Sequence, residues 1–145
     1  MSNIAHFRAV ARIFAEPGAR LAVKRLWITP PTRMDRDQLM AEGVWQELEK
    51  FGARLEIPGC SLCMGNQARV DDGAVVFSTS TRNFDNRMGA GARVYLGSAA
   101  LAATTARLGH LPTVSEYLDI QRRTVLPARD AISPPLYFHK LKSYK

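Results

Sequence analysis

A chain of 145 residues, 46% of them hydrophobic, is the size of one ordinary domain, or of a piece of a larger one, and carries enough apolar side chains to bury a core. The formal net charge of +7 and the pI near 9.9 suit a polyanionic partner. Yet arginines and lysines are scattered from Arg8 to Lys145 rather than gathered in one stripe, which equally describes a solvated basic surface. No run of about 18 apolar residues occurs, so no membrane association is expected. The start MSNIAHFRAVARIF is too polar for a secretory signal, and the expected location is the cytoplasm; Arg8, Arg12 and Arg20 keep a basic transit peptide open as the alternative. In a reducing compartment, two cysteines do not make a disulfide framework.

In chain order, IAHFRAVARIFAE repeats apolar residues at helical spacing and stops at Pro17 and Gly18. The chain is therefore expected to open on a helix already under way, with no N-cap before it. Residues 23–29 form a short β-rich run ended by Pro30 and Pro31. One helix is expected across 32–52, with Met40, Val44, Leu48 and Phe51 along its buried stripe and Gly52 as its stop. Further strands are expected at 53–57, 73–80 and 93–97, each bounded by Gly or Pro. Ser98 caps a helix that ends at Gly109, and TVSEYLDIQRR forms the last helix after Pro112. Strands alternating with helices predict an α/β chain with a mainly parallel sheet, whose functional loops leave the C-terminal ends of the strands.

Two such loops stand out. IPGCSLCMGNQARV, residues 57–70, holds both cysteines three apart in a turn bounded by glycines. Two thiols so placed can point at one centre, as zinc, an iron–sulfur cluster or a redox dithiol requires, or can simply be packed in a loop. Zinc needs a second ligand pair, and His6, His110 and His139 are isolated; a redox dithiol normally sits at a helix N-terminus, whereas this turn runs on toward another strand. The loop STRNFDNRMGAG carries Arg82 and Arg87, with Asn83 and Asn86 between them and Ser78, Thr79, Ser80 and Thr81 just before. It offers two guanidinium forks and several hydroxyls to a small polyanion, or two solvated arginines to water. The two loops are expected to share one crevice. At the C-terminus, LYFHKLKSYK alternates aromatics with lysines, including Tyr137, Phe138, Lys140, Lys142, Tyr144 and Lys145, a composition suited to stacking on RNA or to docking on a neighbouring surface.

Taken together, TPPTRMDRDQL at 29–39, IPGCSLCMGNQARV, STSTRNFDNRMGAGARVYLGSAALAA and LGHLPTVSEY resemble the C-terminal portion of bacterial B-type aconitases, the aconitate hydratase family. The resemblance implies a partial three-layer aconitase-type α/β domain over residues 1–125 and a C-terminal tail over 126–145. It implies that Cys60 and Cys63 are two of three thiolate ligands of a 4Fe-4S cluster, whose iron without a cysteine acts as a Lewis acid on substrate oxygen. Arg82 and Arg87 match the pair that grips substrate carboxylates. The implied substrates are citrate, isocitrate and cis-aconitate, with 2-methylisocitrate as a further candidate, and the implied partner of a cluster-free form is RNA. In the family the third cysteine is followed by Met-x-Asn-Ile-x-His-Phe-Arg, and this chain begins MSNIAHFR, so the third ligand is expected just before Met1. The serine base belongs to a domain further toward the N-terminus. No catalytic residue is therefore expected in this chain, which reads as an inactive fragment of an iron–sulfur hydro-lyase; a basic RNA-binding module and an inert gene remnant are the alternatives.

Overall fold

The computed structural model describes residues 3–60, 62–65 and 67–134. The aromatic and basic residues from Tyr137 to Lys145 lie outside them.

Helix α1 (Ile4–Phe14) begins on its own cap. The Asn3 side chain accepts the His6 backbone N–H, and Nδ1 of His6 accepts the Asn3 backbone N–H, each at 3.3 Å. This reciprocal pair satisfies two of the N–H groups that a helix start leaves unpaired. The expected uncapped start is thereby corrected. A histidine takes the place usually held by Glu or Gln.

The single helix expected across 32–52 is in fact two, α2 (Arg33–Ala41) and α3 (Val44–Phe51). Thr32 caps α2, its hydroxyl accepting the Asp35 N–H at 3.1 Å. Gly43 then adopts a left-handed φ of 75° and turns the chain between the helices. The break also changes which side chains point inward. Leu39 and Leu48 are fully buried, whereas Met40, expected on the buried stripe, is 45% exposed.

Strands form where expected but are shorter. Strand β1 (Trp27–Ile28) pairs in parallel with β2 (Arg54–Leu55), and β3 (Val75–Ser78) pairs in parallel with β4 (Arg93–Leu96). Parallel pairing is thus present, divided among the described residues into two two-stranded sheets. Helix α4 (Ala99–Leu108) follows its Ser98 cap and stops at Gly109; α5 (Val114–Thr124) carries a Thr113–Glu116 capping box. A 3-10 turn over Leu126–Ala128 leads into the short α6 (Arg129–Ile132).

Helix α1 is the centre of the core. Its Phe7, Val10, Ala11, Ile13 and Phe14 are buried in one cluster with Leu48 of α3, Ala103 and Ala106 of α4 and Ile120 of α5. The alanines of α4 let the two helices approach closely, and Phe14 stacks on Phe51 with ring centroids 3.6 Å apart. Each large apolar side chain so buried contributes about 1.5–3 kcal/mol. This helical core is the platform against which the strand pairs hold their C-terminal loops.

Candidate functional site

Three loops leave the C-terminal ends of β1, β2 and β3. The first two are tied together where the Gly59 N–H donates to the Pro30 carbonyl at 3.1 Å. The thiol loop then closes on itself: Met64 N–H donates to the Cys60 carbonyl and Gly65 N–H to the Leu62 carbonyl, each at 3.1 Å. At its base, Nε2 of Gln67 donates to the Glu56 carboxylate at 2.8 Å, joining the incoming and outgoing chain. Both thiols are free; Cys60 is exposed and Cys63 half-buried.

The arginine loop lies directly against this turn. Arg87 is only 3% exposed. Its Nη1 donates to the Cys63 carbonyl at 2.6 Å and its Nη2 to the Ser78 hydroxyl at 3.3 Å, while its buried Nε has no partner among the described residues. Arg82 is exposed, and its guanidinium contacts the Met64 sulfur. The backbones also meet. Gly65 packs so closely on the Arg87 carbonyl oxygen that a Cβ there would overlap it, and Val70 N–H donates to the Met88 carbonyl at 2.9 Å.

Thus all four residues singled out in the sequence, Cys60, Cys63, Arg82 and Arg87, belong to two loops in direct contact. Two of the hydroxyls expected to face a polyanion are instead used inside the arginine loop. The Ser78 hydroxyl accepts from Ser80 N–H and from Arg87, and the buried Ser80 hydroxyl bonds the backbone of Arg82 at both its N–H and its carbonyl. Asn83 donates to the Val94 carbonyl at 3.2 Å, and Asn86, at a left-handed φ of 59°, accepts the Gly91 N–H at 2.8 Å. Sequence spacing did not single out Met64, and its only signal was its place within the thiol turn.

Two thiols on one turn fit two positions of a metal or iron–sulfur centre, because thiolates at i and i+3 can converge on one ion. Among the described residues no group of three His, Cys, Asp or Glu side chains gathers to complete a ligand set. The exposed guanidinium of Arg82 suits a carboxylate or phosphate.

A family model described as the aconitase family (aconitate hydratase) matches residues 1–109. The chain belongs to the aconitase family. It is 56% identical over all 145 residues to aconitate hydratase B of Synechocystis sp., of which it covers 16%. Against aconitate hydratase B of Escherichia coli the identity is 60% over 117 residues, 81% of this chain and 13% of that protein. A more distant family relative, the 3-isopropylmalate dehydratase large subunit of Bacillus cereus, is 38% identical over 101 residues, 69% of this chain and 20% of the relative. This aconitase-family chain therefore spans a small part of the length of the relatives it matches. No helix among its described residues is long and apolar enough to cross a membrane.

Proposed function

We propose that this chain supplies part of the active site of an aconitate hydratase, an iron–sulfur hydro-lyase that interconverts citrate and isocitrate through cis-aconitate in the cytoplasm. Cys60 and Cys63 hold two positions of a 4Fe-4S cluster. That cluster, when bound, supplies a Lewis-acidic iron to a substrate hydroxyl and carboxylate. Arg82 is exposed beside Met64 of the thiol turn, where its fork pairs with a second substrate carboxylate. Arg87 adds a buried positive charge behind the thiol turn, which favours a polyanionic substrate. The remaining thiolate and the base that removes the substrate proton belong to the part of the relatives' length that this chain does not span, so the chain alone is not expected to turn over.

The observation that supports this reading is the hydrogen bond from Arg87 to the Cys63 carbonyl, because it joins the thiols and the arginines in one place. Identities of 56% and 60% to aconitate hydratases B, against 38% to the isopropylmalate dehydratase subunit, support citrate and isocitrate as substrates, and 2-methylisocitrate is a further candidate.

A chimera tests it. Residues 1–145 replace the matching stretch of the Synechocystis enzyme, and turnover is followed by the absorbance of cis-aconitate. The chimera is expected to interconvert citrate and isocitrate, and Arg82→Lys is expected to lower kcat/KM by about 10²- to 10⁴-fold by removing the fork from a desolvated charge pair. A cluster-loaded chimera without activity on these acids, or one indifferent to Arg82→Lys, would sink the proposal.

A further inference from the structure

Within one loop, the two arginines have opposite surroundings. Arg82 is exposed, whereas Arg87 is 3% exposed with both terminal nitrogens donating to protein oxygens. Burying a guanidinium is costly unless hydrogen bonds offset it, and bonds from a charged donor, such as the two that Nη1 and Nη2 make here, are about twice as strong as neutral ones. One of those bonds reaches the carbonyl of a cysteine in the thiol turn. Apart from it, among the described residues the turn from Cys60 to Gly65 is held by its own two backbone bonds, by the anchor at Gly59 and by the contact of Arg82 with Met64.

We propose that Arg87 is a positioning residue for the thiol turn. Its guanidinium clamps the Cys63 carbonyl to the Ser78 hydroxyl at the end of β3 and so fixes the direction in which Cys63 presents its sulfur. Gly65 makes the clamp possible, since only a residue without a Cβ lets the turn settle onto the Arg87 backbone. The two arginines then differ in surroundings: Arg82 is exposed beside Met64, and Arg87 is buried and holds the loop. This role goes beyond carboxylate binding and rests on protein contacts alone. Its test contains neither iron nor substrate, so it stands or falls separately from the proposed function.

The experiment uses the 145-residue chain with Cys60→Ser, which leaves Cys63 as the sole thiol. The rate at which a chromogenic aromatic disulfide modifies Cys63 is measured under native conditions for the parent, Arg87→Lys, Ser78→Ala and Arg8→Ala. Lysine keeps the charge but cannot reach both acceptors, so Arg87→Lys is expected to raise the rate about tenfold through local opening of the turn. Ser78→Ala keeps the arginine and removes one acceptor, and is expected to raise the rate about two- to threefold. Arg8→Ala breaks a distant ion pair and is expected to leave the rate unchanged while lowering the Tm. In the chain with both cysteines, cobalt(II) serves as a second probe. Its thiolate charge-transfer band is expected to weaken in Arg87→Lys and to keep its parent intensity in Arg8→Ala. Should Arg87→Lys lose its helical circular dichroism, the Ser78→Ala rate decides. Modification rates that stay at the parent value in both Arg87→Lys and Ser78→Ala, or that rise only as far as the drop in Tm accounts for, would overturn the assignment.

Discussion

Gly65 and Gly43 share a φ of 75° but not their surroundings. A Cβ at Gly43 would meet nothing within 4 Å, whereas at Gly65 it would overlap the Arg87 carbonyl. Gly43→Ala should therefore cost only the left-handed strain, about 1 kcal/mol. Gly65→Ala adds a steric clash with backbone that has little room to yield, for a total of about 2–4 kcal/mol. Urea denaturation of the two variants checks the difference, and equal costs would mean that the two loops do not approach as described. At this scale the sequence was only partly readable. That Cys60 and Cys63 share one turn followed from their spacing. That Arg87 is buried while Arg82 stays exposed did not, because both are arginines in one polar loop and burial depends on the turn opposite.

At the scale of elements, ion pairs fasten α1 to its neighbours. The Arg8 guanidinium forks onto the Glu42 carboxylate at 2.6 and 2.8 Å, and Arg107 and Arg123 converge on Glu16. The hydrogen bond from Arg8 lowers the pKa of Glu42, against a smaller effect of burial. For Glu16, burial is the largest influence and raises the pKa, but the bonds from Arg107 and Arg123 together outweigh it and the net shift is downward. A carboxylate whose pKa is depressed in the folded state stabilises fully above its unfolded pKa, about 4.3 for glutamate, and loses that contribution as pH falls toward the folded value. The Tm is therefore expected to drop on acidification from about pH 5 to pH 3, with each pair contributing about 1 kcal/mol at most. Glu16→Gln and Glu42→Gln should each flatten the drop; an unchanged pH profile in both variants would show that the pairs do not stabilise the fold.

The elements up to α5 were mostly legible from apolar spacing, as was the Ser98 cap. Two features were not. Asn3 is a good cap, but its partner His6 falls outside the usual Glu or Gln pattern, so the helix start gave no recognisable signal. The break at Gly43 was hidden because Met40, Val44, Leu48 and Phe51 continue a plausible stripe through it, and one glycine inside a helical pattern is often tolerated.

For the whole molecule, strand positions were readable while strand partners were not, since pairing depends on contacts distant in sequence. Parallel sheets are ordinarily covered on both faces, yet Val75 and Tyr95 on β3 and β4 are 62% and 47% exposed. That suits a chain covering 16% of a relative's length. The net charge of +7 is a property of the whole surface, so any RNA binding should be diffuse. Fluorescence anisotropy is expected to show affinity falling steeply between low and physiological salt, with little preference among sequences. Selective binding that survives physiological salt, and is lost on removing residues 136–145, would make the chain an RNA-binding module instead.

Anaerobic reconstitution of the chain with iron and sulfide tests the proposal that Cys60 and Cys63 are cluster ligands. Two thiolates without a complete ligand shell hold a cluster weakly. The parent chain is expected to give a faint, oxygen-sensitive thiolate-to-iron absorbance with low bound iron, lost in both Cys60→Ser and Cys63→Ser. A stable, fully occupied cluster that survives either substitution would show that these cysteines are not its ligands.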